Sequence, residues 1–271
     1  MPLLWLRVAL GCYAVGLLYA LLLVARRSEL MGRIALHAAG VGMAFHLVSL
    51  TEAALVERQL TMASIHNSES LLAFVIMLFF MVIYWIYQTT TPGMFVFPMV
   101  FLLTFAAAIG QQKIVLATPL AHSAWIFVHI ALIFTGYAAL ILSFGASLLY
   151  LLQERNLKSK QPGRLLSRLP SLQTIDDIGY RSLLLGFPFM TLGLIAGSVV
   201  AQAKFGAVYF RDPKVLLSVL MWMVYMIMLY TRWNSGWRGR RAAYLAMCAF
   251  VTAVVAWAAN FFSGVHRFAA P

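Results

Sequence analysis

Six histidines carry most of the chemistry open to this chain: His37, His46, His66, His122, His129 and His266. Neutral imidazole ligates zinc, copper and haem iron. Cys12 and Cys248 are the two cysteines of the 271 residues; they lie in separate apolar stretches and form no CxxC pair. A thiolate zinc site or a thiol–disulfide centre of the chain's own is thereby excluded. A histidine zinc site would want three or four ligands, carboxylate or thiolate among them. No HExxH spacing exists, and the acids on the relevant side are few: Glu52, Glu57, Glu69 and Asp212. Two imidazoles from different helices, surrounded by aromatic residues, suit haem iron better. The segment 203–214 offers Phe205, Tyr209 and Phe210 as flat apolar surface. In the same segment Lys204, Arg211 and Lys214 are available for propionates, and Asp212 can fix the loop or a propionate-binding lysine. No nucleophile or general acid–base pair is identifiable.

The elements that must position these groups follow from composition. Hydrophobic residues make up 63% and charged residues 10% of the chain, with a mean hydropathy of +0.87. Soluble domains are nearer 45–50% apolar and about 25% charged, so a soluble enzyme, a disordered chain and a secreted disulfide scaffold are excluded. The net charge is +12, but the basic residues are interrupted by long apolar runs, which argues against a nucleic-acid partner. Apolar runs long enough to span a bilayer, about 17–25 residues, occur near 3–24, 34–51, 70–88, 94–111, 124–152, 182–203, 214–231 and 241–262. Every Asp and Glu falls between these runs or at an edge, as the cost of an acid in hydrocarbon requires. The predicted fold is an all-α polytopic membrane protein, a bundle of about eight transmembrane helices. The first run is read as a retained helix because no small-residue cleavage site follows it.

Thirteen of the 20 Lys and Arg fall in the connections after spans 1, 3, 5 and 7. By the positive-inside rule those connections are cytoplasmic and both termini face outward. Arg155, Lys158, Lys160, Arg164 and Arg168, with Arg232, Arg238, Arg240 and Arg241, set topology and touch anionic membrane lipid. This topology sorts the histidines. His37 sits at the inner start of span 2. His46 lies deep in span 2, either a functional intramembrane group or a neutral ring bonded to a neighbouring helix. His66, His122, His129 and His266 map to the outer side, and the seven-residue spacing of His122 and His129 puts both on one helical face. Gly193 and Gly197 form a GxxxG pair in span 6, read as a close helix–helix contact.

Five ordered motifs resemble the CcsA/CcmC-type cytochrome c assembly proteins. They are the stretch from His129 to Leu140; Leu169 to Pro188, with Asp176-Asp177-Ile178-Gly179-Tyr180-Arg181; Asp212-Pro213-Lys214; Trp222 and Tyr225 followed by Gly236-Trp237-Arg238-Gly239-Arg240-Arg241; and Asn260 to His266. Glu69-Ser70 after His66 is a weaker echo. The strong resemblance covers 120–268, with 1–119 as additional transmembrane helices of a single domain, 1–271.

The resemblance implies haem handling at the outer face of a bacterial plasma (inner) membrane, in cytochrome c maturation. It assigns His129 and His266 as ligands to the iron of haem b, beneath a loop made here by Phe205, Tyr209, Phe210, Asp212 and Lys214. His46 is a second, intramembrane candidate. It implies a ResB-like membrane subunit, apocytochrome c and a thiol-reducing partner. The family's tryptophan-rich loop has lost its tryptophans here, the acid after Lys214 is replaced by Val215, and Tyr230 stands where synthetase-type members carry a histidine. These departures resemble the smaller YpjD/HemX-like branch. They keep open an alternative: a membrane accessory or regulatory protein of haem biosynthesis or cation efflux that does not attach haem. A transporter of unrelated substrate would need more intramembrane polar groups than His46, Thr104 and Asn260.

Overall fold

The computed structural model describes residues 2–25, 29–55, 65–110, 124–158, 170–206 and 211–259. The described residues form eight helices and no strand: α1 (Pro2–Ala25), α2 (Glu29–Leu55), α3 (Ile65–Tyr87), α4 (Gly93–Ile109), α5 (Ala124–Lys158), α6 (Leu172–Phe205), α7 (Pro213–Asn234) and α8 (Arg240–Ala258). Seven are long and apolar enough to cross a membrane, and the chain is a multi-pass membrane protein. With no water in the bilayer core, helices are the economical way to satisfy the backbone of each span. α4 is the exception in length, with 17 residues. It starts after Pro92, and Gly110 ends it in an extended conformation.

Several helices outrun the apolar segments that predicted them, α5 and α6 furthest at one end. α5 continues to Lys158, which pairs with Glu154 at 2.6 Å one turn back. α6 begins at Leu172, ten residues before the apolar run, because the Ser171 hydroxyl caps it by accepting from the Thr174 amide at 3.1 Å. Asp176 and Asp177 therefore sit inside a helix. Hydropathy marks where hydrocarbon is tolerated; caps and ion pairs decide where a helix stops.

The helices cluster in two compact units, Met1–Ala117 and Thr118–Pro271. In the first, α1 packs on α2 and α4, and α3 on α4 and α2. Glycines permit the closest approaches: Gly16 faces the Phe97 ring, and Gly42 faces Tyr13. The Ser49 hydroxyl donates to the Pro2 carbonyl at 2.7 Å, tying the start of α1 to the end of α2.

In the second unit α5, α6, α7 and α8 alternate in direction around a core that includes Leu140, Leu183, Met190, Met221, Tyr225 and Met228. α8 buries an alanine stripe, Ala243, Ala246, Ala249, Ala253 and Ala256, against α5 and α7. α5 and α6 meet along a glycine seam. Gly179 faces Ala146, Gly186 faces Ala139, Gly136 faces Met190, Gly193 faces Ile133 and Gly197 faces His129. The paired numbers run in opposite directions at nearly constant register, so one antiparallel contact extends along α6 from Gly179 to Gly197.

Candidate functional site

One end of the second unit gathers the start of α5, the last turns of α6 and the start of α7. His129, the sixth residue of α5, reaches across to α6. Its Nδ1 lies 2.6 Å from the Gly193 carbonyl oxygen. A carbonyl only accepts, so Nδ1 carries the proton and the Nε2 lone pair of the neutral ring is left for a metal. Gly197, one turn further along α6, makes room for the ring: a Cβ there would fall 2.5 Å from Cε1 and 2.6 Å from Nδ1. The GxxxG pair thus does two things. It lets the helices touch, and it seats and orients an imidazole.

The opening of α7 completes what is described of this end. Asp212 is buried and caps α7, its carboxylate accepting from the Lys214 amide at 2.9 Å, with Pro213 as the first helical residue. The Lys214 ammonium lies close enough to interact electrostatically with His129 and with Asp212. Of the predicted site residues, the structure brings together His129, Asp212 and Lys214. Phe205 closes α6 near the same end. Tyr209, Phe210 and His266 lie outside the described residues, as does His122.

These groups fit a haem. Among the described residues no three His, Cys, Asp or Glu side chains converge to hold a metal ion. Haem iron brings four nitrogens of its own and asks the protein for one or two axial ligands. An imidazole whose second nitrogen is fixed by a backbone carbonyl is the usual form of such a ligand.

His46 sits elsewhere, in the first unit, fully buried. Its Nδ1 is 3.3 Å from the Tyr13 hydroxyl and its Nε2 is 2.9 Å from the Ser70 hydroxyl. Phe74 packs edge-on against the ring. Both nitrogens are engaged, so the ring would have to give up one bond to ligate a metal. His37 is exposed and donates from Nδ1 to the Arg33 carbonyl at 2.6 Å. Tyr230 is exposed on α7, and its hydroxyl accepts from Asn234 at 3.2 Å.

The opposite end of the second unit holds an arrangement that residue types alone did not reveal. The Arg232 guanidinium meets the Asp176 carboxylate in a two-pronged pair, 3.0 and 2.6 Å. The same carboxylate accepts the Gly239 amide at 3.0 Å, and Arg232 stacks over the Tyr180 ring. Gly239 is left-handed, with φ of 64°, and a Cβ there would strike the Tyr150 hydroxyl at 2.5 Å. This clasp joins α6, α7 and the start of α8 beside a cavity of about 30 Å³ lined by Ser143, Ser147 and Tyr150, room for a water molecule. It brings the Asp-Asp-Ile-Gly-Tyr and Gly-Trp-Arg-Gly motifs into contact through Asp176 and Gly239.

The family model described as Cytochrome C assembly protein matches residues 62–266. That match begins well before residue 120 and takes in α3 and α4. The cytochrome c biogenesis protein CcsA of Guillardia theta is 30% identical over 223 residues, 74% of this chain and 74% of its own. CcsA of Chlamydomonas reinhardtii is 32% identical over 148 residues, 55% of this chain and 41% of the algal protein. CcsA of Prochlorococcus marinus (strain MIT 9303) is 32% identical over 164 residues, 51% of this chain and 52% of its own. The matched segment is thus about half of the Prochlorococcus protein and less than half of the algal one.

Proposed function

The chain belongs to the cytochrome c assembly protein family, and we propose that it acts in cytochrome c biogenesis by binding haem and presenting it at the outer face of a bacterial plasma membrane. The observation that carries this reading is the His129 pose: a ring at one end of a four-helix unit, its Nδ1 proton held by the Gly193 carbonyl and its Nε2 left to an iron. His266 is the second axial ligand. Phe205, Tyr209 and Phe210 form the apolar platform, and Lys214, set by the Asp212 cap, pairs with a propionate. The haem is of the b type, so its vinyl groups remain available for thioether formation when it is bound.

The chain's own residues hold and orient. With no CxxC in the sequence, keeping apocytochrome thiols reduced falls to a partner, and a ResB-like membrane subunit and apocytochrome c are the companions this role requires. The excess of Lys and Arg in the connections after α1, α5 and α7 supports an orientation with both termini outside.

The test is a reduced-minus-oxidised visible spectrum of the detergent-purified protein with pyridine haemochrome quantitation. His129→Ala and His266→Ala should each lose most of the haem, and His37→Ala should keep it. Equal haem in all three would overturn the ligand assignment. No haem in the unaltered protein, even after expression with haem supplied, would favour the accessory or regulatory reading motivated by the tryptophan-free loop and Tyr230.

A further inference from the structure

The turn between α7 and α8 is five residues long, 235–239, and joins two helices that are each long and apolar enough to cross a membrane. It therefore lies at headgroup level. Three exposed arginines, Arg238, Arg240 and Arg241, stand on this turn and the start of α8. Their surroundings are aromatic. The Tyr244 hydroxyl accepts from Nε and Nη2 of Arg240 at 3.3 and 3.2 Å, and the same guanidinium lies over the Tyr244 ring. Arg241 lies over the Trp237 ring, 5.7 Å from its centre. The clasp fixes the backbone between them: Arg232 donates to the Trp237 carbonyl at 3.4 Å, and the Gly239 amide donates to Asp176 at 3.0 Å.

The acids of the second unit are committed elsewhere. They are Glu154, Asp176, Asp177 and Asp212. Glu154, within electrostatic reach of Arg240, is bonded to Lys158 at 2.6 Å. Asp177 pairs with Arg181 at 3.0 Å and Asp176 with Arg232. Asp212 caps the opposite end of α7, about 33 Å away along the helix. The connection 159–169 contains no acid at all. Nor does α8 account for these arginines, because cations in a first turn oppose the helix dipole. Marking membrane orientation would be served as well by lysines with no fixed posture. A planar guanidinium braced on an aromatic face instead matches phosphate oxygens two at a time.

From this placement we infer that the α7–α8 turn is a binding site for the phosphate of an anionic phospholipid, gripped by Arg238, Arg240 and Arg241 and walled by Trp237 and Tyr244. This differs from the general attraction of basic connections to a charged membrane, since it places one headgroup at one built turn. A lipid is favoured over a soluble anion because the turn is held at the membrane surface. Exposed Trp233 and Tyr244, with Trp237, are the amphipathic rings that settle at that level. The backbone of the turn is bonded to Arg232 and Asp176, so a headgroup bridging the arginines also steadies the clasp. The inference does not depend on haem.

Titration of the full-length, detergent-purified protein with brominated phosphatidylglycerol and, separately, brominated phosphatidylcholine tests it. The readout is the share of tryptophan quenching that W237F removes. Wild type should bind the anionic lipid more tightly. R240Q and R241Q should each weaken that binding about fivefold, and R238Q/R240Q/R241Q should bind the two lipids alike. R155Q/K160Q/R164Q, which removes the same charge from the α5–α6 connection, should keep the preference. Phosphatidylglycerol should raise the melting temperature of wild type and leave that of R238Q/R240Q/R241Q unchanged. Equal loss of preference in the two triple variants would reduce the effect to diffuse charge and overturn the site. So would R240Q and R241Q binding as wild type does. Displacement of the anionic lipid by millimolar inorganic phosphate or an RNA oligonucleotide, at constant ionic strength, would assign the turn to a soluble anion and overturn the lipid.

Discussion

The Gly197 seat makes a quantitative prediction. In Gly197→Ala the new Cβ would lie 2.5 Å from Cε1 and 2.6 Å from Nδ1 of His129, whereas carbon atoms in contact sit about 3.5–4.0 Å apart. The ring must retreat by roughly 1 Å. The Nδ1 bond to the Gly193 carbonyl is 2.6 Å, so a retreat along that direction lengthens it to about 3.6 Å, which is no longer a hydrogen bond. Losing such an outer partner lowers metal affinity about 10- to 100-fold, while the crowding itself costs about 1–3 kcal/mol of stability. Gly136→Ala is the control on the same seam. Its Cβ would approach Met190 Cε at 2.8 Å, the far end of a flexible side chain, and no histidine. Haemin titration of wild type, G197A, G136A and H129A, with thermal melting of each, separates the effects. Both glycine variants should melt lower, but G197A alone should approach H129A in haem affinity. The reasoning is refuted if G197A binds as wild type while H129A does not, or if G136A loses as much haem as G197A.

Asp176→Asn removes the charge from a pair whose side chains are 12% and 16% exposed and weakens the cap on Gly239. Breaking such a pair from one side costs roughly 3 kcal/mol, visible as a lower melting temperature in detergent, with haem affinity unchanged; a loss of haem without a change in melting would contradict it. His46→Phe leaves the Tyr13 and Ser70 hydroxyls without their partner. Bonds of this kind within membranes average about 0.6 kcal/mol each, so a loss of about 1 kcal/mol is expected, partly recovered in His46→Gln, and a melting temperature equal to wild type would deny the bonds that role. Ser235, exposed between α7 and α8, lies on the inner side in the proposed topology. A cysteine placed there, with Cys12 and Cys248 replaced by alanine, should react with an impermeant maleimide in inverted vesicles and not in right-side-out ones.

The number of helices was readable because hydrocarbon leaves an apolar run few alternatives. Their extents were less so. Ser171, Asp176 and Asp177 look like a polar connection in the sequence, yet a cap at Ser171 and an ion pair from Asp176 carry α6 through them. His129 stood out as a candidate ligand by type, position and motif. The partner of that histidine did not, since Gly193 and Gly197 are 64 and 68 positions away and a single sequence carries no pairing information. A GxxxG pair announces that something comes close without saying what: here Gly193 receives Ile133 and Gly197 an imidazole. Arg232 illustrates the same limit. Counted as a positive charge it marks topology, but its guanidinium is committed to Asp176 on another helix.

The second unit divides its tasks along its length. The clasp of Asp176, Arg232 and Gly239 sits at the start of α6, and Gly193 lies 17 residues further on, about 25 Å along a helix. Direct electrostatic coupling between two such ends is small, and sites more than about 10 Å apart usually behave additively. What connects them is the seam. Its glycines hold α6 at one register against α5 from Gly179 to Gly197, so the meeting of the Gly193 carbonyl with His129 is set by the helix contact itself and outlasts a weakened clasp. The histidine need not be held by a dense polar network of its own. Its orientation follows from two long helices locked in register.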